Sequence, residues 1–334
     1  MSYPKIKNTR VLVTGGAGFI GSNLCEHLLQ HHNQVICMDN FSTGRRENIE
    51  ALLSNKDFKL LEGDIRNPGD CNTAMQGVNI VLQQAALGSV PRSLKNPVTT
   101  NEVNIGGFLN ILVAARDAKV RRVVYAASSS TYGDSETLPK VEEVIGQPLS
   151  PYAVTKLVNE LYAHVFGLSY GLDCIGLRYF NVYGRRQDPN GAYAAVIPKF
   201  TQALMAHESP LINGDGSNSR DFTYIDNVIQ MNHLAAITTN PAAHGQVYNT
   251  AVGDRADLNK LTSLLKQYLS EYDPAIADVE IKYGPERLGD IPHSLASIEK
   301  AKTRLGYRPS HTLEQGLKEA VNWYWTHLRK VDPL

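Results

Sequence analysis

The sequence has only four cysteines, Cys25, Cys37, Cys71 and Cys174, and no two of them stand in a CxxC spacing. That excludes a zinc ribbon or a dithiol redox motif and predicts buried free thiols in a reducing compartment. Excess charge is missing as well: 33 Lys plus Arg balance 33 Asp plus Glu, for a formal net charge of zero. Bulk electrostatic capture of nucleic acid or of an anionic membrane has no support, so any phosphate must be held by a local arrangement. No apolar run is long enough to span a bilayer, and the polar stretch from Met1 to Arg10 has no apolar signal core. Internal repeats and low-complexity tracts are also absent. The expectation is a soluble cytoplasmic protein with no nucleic-acid and no membrane partner.

What is present is a chain of 334 residues, 43% of them apolar, enough for two packed units or one domain with a lobe. Short apolar runs at Val11–Val13, Gln34–Met38, Phe58–Leu61, Ile80–Gln84, Arg122–Ala126 and Cys174–Leu177 read as buried strands. Helical patterns at Ser22–His31, Val98–Ala118 and Pro151–Ser169 lie between them. Near-continuous apolar strands alternating with helices predict a parallel sheet covered on both faces. After about Tyr179 proline and glycine punctuate the chain more heavily. The expected division is a first unit over residues 1–178, with return segments from about 222–250, and a smaller substrate lobe made mainly of residues 179–334.

Gly15-Gly16-Ala17-Gly18-Phe19-Ile20-Gly21 follows the first strand and opens the first helix. Glycines at 15, 18 and 21 allow a tight turn, close backbone approach to a pyrophosphate and close helix–strand packing. The amides at the helix start favour the negative phosphates, which places Phe19 and Ile20 in the same site. The second strand ends in Asp39, whose carboxylate can accept hydrogen bonds from ribose hydroxyls and repels a 2′-phosphate. This pattern predicts a Rossmann-type doubly wound α/β sheet that binds NAD in preference to NADP. Asn40, Phe41, Ser42 and Gly44 in the loop behind Asp39 are assigned to the cofactor site. Arg45 and Arg46, close by, are expected as a solvated pair. Asp64-Ile65 ends the third strand at the adenine position, and Gln84-Ala85-Ala86 ends the fourth.

Ser150-Pro151-Tyr152-Ala153-Val154-Thr155-Lys156 carries the chemistry. Ser150 suits a helix N-cap and Pro151 the first turn. Tyr152 and Lys156 then share one helix face, and an ammonium beside a phenol favours the phenolate, a general base. Ser128-Ser129-Ser130 follows an apolar strand, so a serine hydroxyl lies at the same carboxyl edge of the sheet. Metal-ligand spacings are absent, and no metal is expected.

With these motifs in order, the sequence resembles the extended short-chain dehydrogenase/reductases from Arg10 to about Pro309. Within them it is most similar to bacterial UDP-N-acetylglucosamine 4-epimerases. The segments carrying the resemblance are Gly88–Ser93, Ala127–Gly133, Arg178–Gly184 and Gly191–Pro198. The resemblance implies Ser128 as the catalytic serine, Tyr152 as the base and Lys156 as its partner and a ribose ligand. It implies Asn104 as a support for the nicotinamide end, and Tyr179, Phe180 and Val182 as further cofactor residues. On the substrate side it implies Gly88, Ser89 and Ser129 near the sugar, and Asn181 at the diphosphate or sugar. Ala195, Val196, Lys199 and Asn213 would line the uridine site, Arg220 and Arg287 would clamp the diphosphate, and Asp290 would hold the uridine ribose. A homodimer through the helices at Val98–Ala118 and Pro151–Ser169 is implied as well.

The activity so implied is interconversion of UDP-GlcNAc and UDP-GalNAc, and of their uronic acid forms in some members. Tyr152 would take the proton of the sugar 4-hydroxyl, a 4-keto sugar would form with bound NAD, and return of hydride to its other face would restore the cofactor. The rivals are UDP-glucuronate decarboxylases, nucleotide-sugar 4,6-dehydratases and non-catalytic NAD-binding proteins of the same fold. Dehydratases of the family need an Asp-Glu pair after the catalytic threonine and decarboxylases keep a glutamate there, whereas this chain has Ser129 and Ser130. Binding proteins lose the tyrosine or lysine, and both remain. Ser294, four positions after Asp290, matches the position that faces sugar C2, where a small residue admits an N-acetyl group; it would equally cap a helix starting near Leu295.

Overall fold

A computed structural model describes residues 3–190, 195–286 and 292–328 of the chain. The first half alternates as expected: β1 (Arg10–Thr14), β2 (Gln34–Asp39), β3 (Phe58–Glu62), β4 (Ile80–Gln83), β5 (Arg122–Ser128) and β6 (Cys174–Tyr179). A seventh strand, Val247–Thr250, joins the same sheet. The spatial order is seventh strand, β6, β5, β4, β1, β2, β3, and each neighbouring pair is parallel. The order reverses between β1 and β4, the place where ligands bind in open sheets of this kind.

Alternation along the strands sorts the two covering layers. Val11 and Val13 of β1 pack into a core shared with Leu24 and Leu28 of helix α1 (Phe19–Leu29) and Val228 and Ile229 of the Ile225–Ile237 helix. Leu12, between them, faces a second core with Phe108, Ile111 and Phe166 from the Phe108–Asp117 and Pro151–Tyr170 helices. The Ile225–Ile237 helix therefore covers the sheet although it follows residues expected in the lobe. The four cysteines are buried and free.

The region expected as a lobe is assembled from short pieces. Two-stranded pairings join Val182–Tyr183 to Thr223–Tyr224, Ser219–Arg220 to Ala256–Asp257, and Leu211–Asn213 to Lys282–Gly284. Amphipathic helices Val196–Met205, Leu258–Ser270 and Leu313–Leu328 bury Phe200, Leu204, Leu265, Leu317 and Tyr324 against the first core. The helix expected near Leu295 is absent. That segment instead forms bridges, Ala296 with Lys140 and His293 with Ser219, and a helix begins only at Glu299. Among the described residues no helix is long and apolar enough to cross a membrane.

Candidate active site

A cleft of about 410 Å³ opens at the carboxyl ends of the strands, across the reversal point. Its first wall is the glycine turn. Gly15 has φ +63°, and a Cβ there would lie 2.8 Å from the Ala85 Cα, so only glycine lets β1 and the end of β4 approach this closely. The Gly15 N–H donates to the Met38 carbonyl at 2.8 Å, tying the turn to β2. Gly18 caps α1 without a side-chain hydrogen bond, which leaves first-turn amides to a phosphate. Gly21 packs where a Cβ would meet the Gly15 carbonyl oxygen.

Asp39 ends β2 beside this turn. Its carboxylate accepts the Ala17 N–H at 2.9 Å and the Phe41 N–H at 2.8 Å. Burial pushes its pKa up, and those two amides pull against the rise. Gly44 lies against it, a Cβ there falling 2.8 Å from both carboxylate oxygens. Asp64 is held by Arg66, by backbone N–H and guanidinium, and by the Asn40 amide, so its carboxyl titrates at about 2. Arg45 pairs with Asp188 at 2.9 Å, while Arg46 pairs with Glu62 at 2.5 Å and stacks over Phe41. A cradle too tight for a Cβ, an uncapped helix start and a buried carboxylate at the second strand end suit a dinucleotide with a free ribose.

The opposite wall carries the groups expected to react. Ser150 caps the Pro151–Tyr170 helix through its side chain, accepting the Ala153 N–H at 3.1 Å. The Tyr152 phenol lies beside Ser128 at the end of β5, near enough for the serine to pull its pKa down. The Ser128 Oγ in turn accepts from the Ser130 N–H at 3.1 Å and the Ser130 hydroxyl at 2.9 Å. Lys156 Nζ donates to the Ala126 carbonyl at 2.8 Å and stands 5.9 Å from the Tyr152 ring centroid. Burial lowers Lys156 to about 8, with Glu160 opposing. Tyr152 is raised by burial, with Ser128 pulling the other way. The expected lowering of the phenol by Lys156 is not among the causes of its shift in this arrangement, where burial sets the direction.

Most of the expected cofactor residues line this one cleft: Gly15, Gly18, Phe19, Ile20, Asp39, Asn40, Ser42, Asp64, Ile65, Gln84, Ala85, Ala86, Tyr152, Lys156, Tyr179 and Val182. Four do not. Phe41 and Gly44 stand behind Asp39 as described. Asn104 is buried behind the wall, where its side chain bonds the Leu87 N–H and carbonyl and the Thr155 hydroxyl. Phe180 is fully buried against Tyr132, because the backbone after β6 turns its ring into the core. Met38, Gly63, Leu87, Val103, Ala126 and Ala127 also line the cleft. Strand ends would have suggested most of these, but nothing local marks Val103.

Of the substrate-side residues, Gly88, Ser128, Tyr152 and Asn181 border the same cleft. Ser89 caps the Val90–Lys95 helix with φ 102°, and Ser129 opens a single turn. Ala195 caps the Val196–Met205 helix, which carries Val196 and an exposed Lys199. Asn213 ends a short strand, and Arg220 donates to the Ser219 and Pro292 carbonyls. The Ser294 N–H donates to the Ser219 carbonyl at 3.0 Å, so its place is in a bridge and not at a helix cap. The cleft lining does not extend to Ser89, Ser129, Ala195, Val196, Lys199, Asn213, Arg220 or Ser294. Arg287 and Asp290 lie outside the described residues.

Comparison with known proteins agrees with this geometry. A model of the NAD dependent epimerase/dehydratase family matches residues 11–251. The putative UDP-glucose 4-epimerase of Methanocaldococcus jannaschii is 36% identical over 315 residues, which cover 94% of this chain and 97% of that protein. Among solved structures, UDP-N-acetylglucosamine 4-epimerase from Methanobrevibacter ruminantium, in complex with UDP-N-acetylmuramic acid, is 37% identical with a TM-score of 0.88. The match covers 96% of this chain and 99% of that one. UDP-glucuronic acid 4-epimerase from Bacillus cereus, in complex with UDP-glucuronic acid and NAD, is 30% identical with a TM-score of 0.85, covering 95% and 99%.

Proposed function

Because the chain belongs to the NAD dependent epimerase/dehydratase family, with NAD as its cofactor, we propose that it is a UDP-N-acetylhexosamine 4-epimerase. The observation that carries this reading is the meeting of Ser128, Tyr152 and Lys156 at one end of the cleft, with serines where dehydration would need an acid and a base. The family includes dehydratases, so membership alone does not decide. Ser130 spends its hydroxyl and its N–H on Ser128 and has no carboxyl to move protons at C5 or C6.

NAD, when bound, supplies the acceptor and donor of hydride at sugar C4. The protein supplies the rest. Tyr152 takes the proton of the 4-hydroxyl and returns it to the other epimer, a role worth about two to four orders of magnitude. Ser128 bridges phenol and sugar oxygen. Lys156, fixed on the Ala126 carbonyl, holds the positive charge that favours the phenolate. Asn104 fixes the wall from behind: it joins the Leu87 backbone to Thr155, whose hydroxyl donates to the Tyr152 carbonyl. Asn181 and Arg220, with Arg287 and Asp290, are assigned to the diphosphate and uridine ribose. Gly88, which borders the cleft, and Ala195 and Ser294, which lie outside its lining, are the small residues assigned to the acetamide at C2.

A homodimer belongs to the same proposal. Val154, Leu161, Val165 and Leu168 form an exposed apolar stripe on the Pro151–Tyr170 helix, and Leu94 and Val98 are exposed on helices that pack against it. The test is incubation with UDP-GlcNAc and with UDP-GalNAc, products resolved at C4 by NMR, while free NADH is followed by absorbance. The expected result is mutual conversion with no net NADH. One NADH released per sugar consumed would replace the reading by a dehydrogenase, and a 4-keto-6-deoxy product by a dehydratase.

A further inference from the structure

The seventh strand holds a side chain whose donors and acceptor are all engaged. Asn249 is fully buried. Its Oδ1 accepts the Tyr132 hydroxyl at 2.7 Å, and its Nδ2 donates to the carbonyls of Lys140 at 2.9 Å and Ser297 at 3.0 Å. Its backbone N–H reaches the Glu142 carboxylate at 2.8 Å. Tyr132 lies in the turn that Ser128 opens, and Lys140 and Glu142 lie in the connection from that turn to Ser150. Ser297 belongs to the segment that carries Ser294.

These two outer segments are also zipped by backbone. The Lys140 N–H donates to the Leu295 carbonyl at 2.7 Å, and the Ser297 N–H to the Lys140 carbonyl at 2.9 Å. Two residues on from Ser294, the Ala296 N–H reaches the buried Asp221 carboxylate, which also holds the N–H groups of Val252 and Gly253. The Asp221 carbonyl takes the Asn181 amide at 2.9 Å. Asn249 stands where the loop between serine and tyrosine meets the segment expected beside the sugar. Buried polar groups of this kind specify one arrangement only while every bond is made.

We propose that Asn249 is a positioning residue for the reacting end of the cleft, clasping the Ser128–Tyr152 connection to the Ser294 segment so that base and sugar pocket keep one spacing. This rests on the epimerase reading, in which those groups act on one ligand. A purely structural role would cost cofactor and activity together. The clasp should cost activity alone, because β5, β4 and β6 separate Asn249 from the glycine turn on β1.

The test is Asn249→Asp, which keeps the size but turns the amide's two donors into acceptors facing two carbonyls. Turnover of the UDP-sugar should fall about 10²-fold, the loss expected for a misplacement of about 1 Å, with bound NAD per chain unchanged. Tyr132→Phe removes a single bond and should give a smaller fall in the same direction. Hydrogen exchange should quicken in both variants at residues 140–142 and 294–298 and not in β1 or β2. Full turnover with unchanged exchange in Asn249→Asp overturns the proposal, as does a loss of NAD in step with turnover. If that variant does not fold, Tyr132→Phe decides by the same criteria. A wild-type protein that converts no nucleotide sugar removes the functional reading on its own, and the exchange pattern still tests the clasp.

Discussion

The two ends of the cleft are built in different ways. At the dinucleotide end, each group lies within a few residues of a strand: Gly15 and Gly18 after β1, Asp39 at the end of β2, Asp64 after β3 and Gln84–Ala86 after β4. Much of the work there falls to backbone, through uncapped amides and glycines that admit close approach. At the other end Ser128, Tyr152 and Asn181 border the cleft, while Arg220 and Ser294, proposed for the sugar nucleotide, stand outside its lining on segments far apart, held by the pairing of loops. A site made of strand ends can be found by counting along a chain. A site made where loops meet depends on contacts that no short motif contains.

The sharpest division between the two ends comes from Tyr152→Phe. Turnover should drop by about two to four orders of magnitude, while NAD measured per chain stays at the wild-type level. If NAD is lost as well, the ends are one coupled unit and the contrast fails.

Ser294→Tyr addresses the sugar end alone. Crowding a filled pocket costs about 1–3 kcal/mol, so UDP-GlcNAc and UDP-GalNAc should turn over about ten- to a hundredfold more slowly, with UDP-glucose or UDP-galactose spared. Parallel assays on the four sugars check this, and an unchanged rate on UDP-GlcNAc would remove Ser294 from the pocket.

The reverse perturbation is Gly15→Ala, which forces alanine to φ +63° and presses its Cβ on the end of β4. Strain of about 1–3 kcal/mol should appear as NAD affinity about tenfold weaker, read by cofactor titration, with the ratio of sugar preferences unaltered.

The smallest expected effect is one of pH. Burial brings Lys156 down to about 8, so its ammonium is present below that value and lost above it. Turnover, which also needs the Tyr152 phenolate, should therefore stop rising with pH above about 8, because the phenolate gained there is offset by the ammonium lost, while retained NAD, held mainly by amides, changes little. Turnover that goes on rising without a bend from 8 to 9 would show that the charge of Lys156 is not needed.

The contrast also explains what could be read without the fold. Six strands lie within two residues of where apolar runs placed them, and the glycine turn, Asp39 and the Ser150 cap stand as expected. The stretch 98–118, read as one helix, is broken by a wide π turn over Glu102–Gly107. That turn sets Asn104 against Leu87 and Thr155, and packs Gly107 where a Cβ would be 2.5 Å from Ile65. Amphipathic periodicity hides such a break, because the apolar residues on either side keep nearly the same face. The seventh strand, of four residues, is too short to stand out, and Asn249 within it looks like an ordinary strand-end polar residue. The resemblance puts Phe180 at the cofactor, but while its neighbours Tyr179 and Asn181 line the cleft, the backbone turn sends its ring into the core.

The late return of Val247–Thr250 to the sheet limits how this chain can be divided. It pairs with β6 along four residues and is that strand's only neighbour on its outer side among the described residues. A fragment ending at Tyr179 would keep the glycine turn, Asp39 and the tyrosine–lysine helix, yet offer β6 to solvent as a row of unpaired N–H and C=O groups. Such an edge invites pairing with another chain. A split or a fusion junction meant to preserve the cofactor end must therefore fall beyond Thr250, because the segment that guards this edge against self-association is supplied from the far side of residues 180–246.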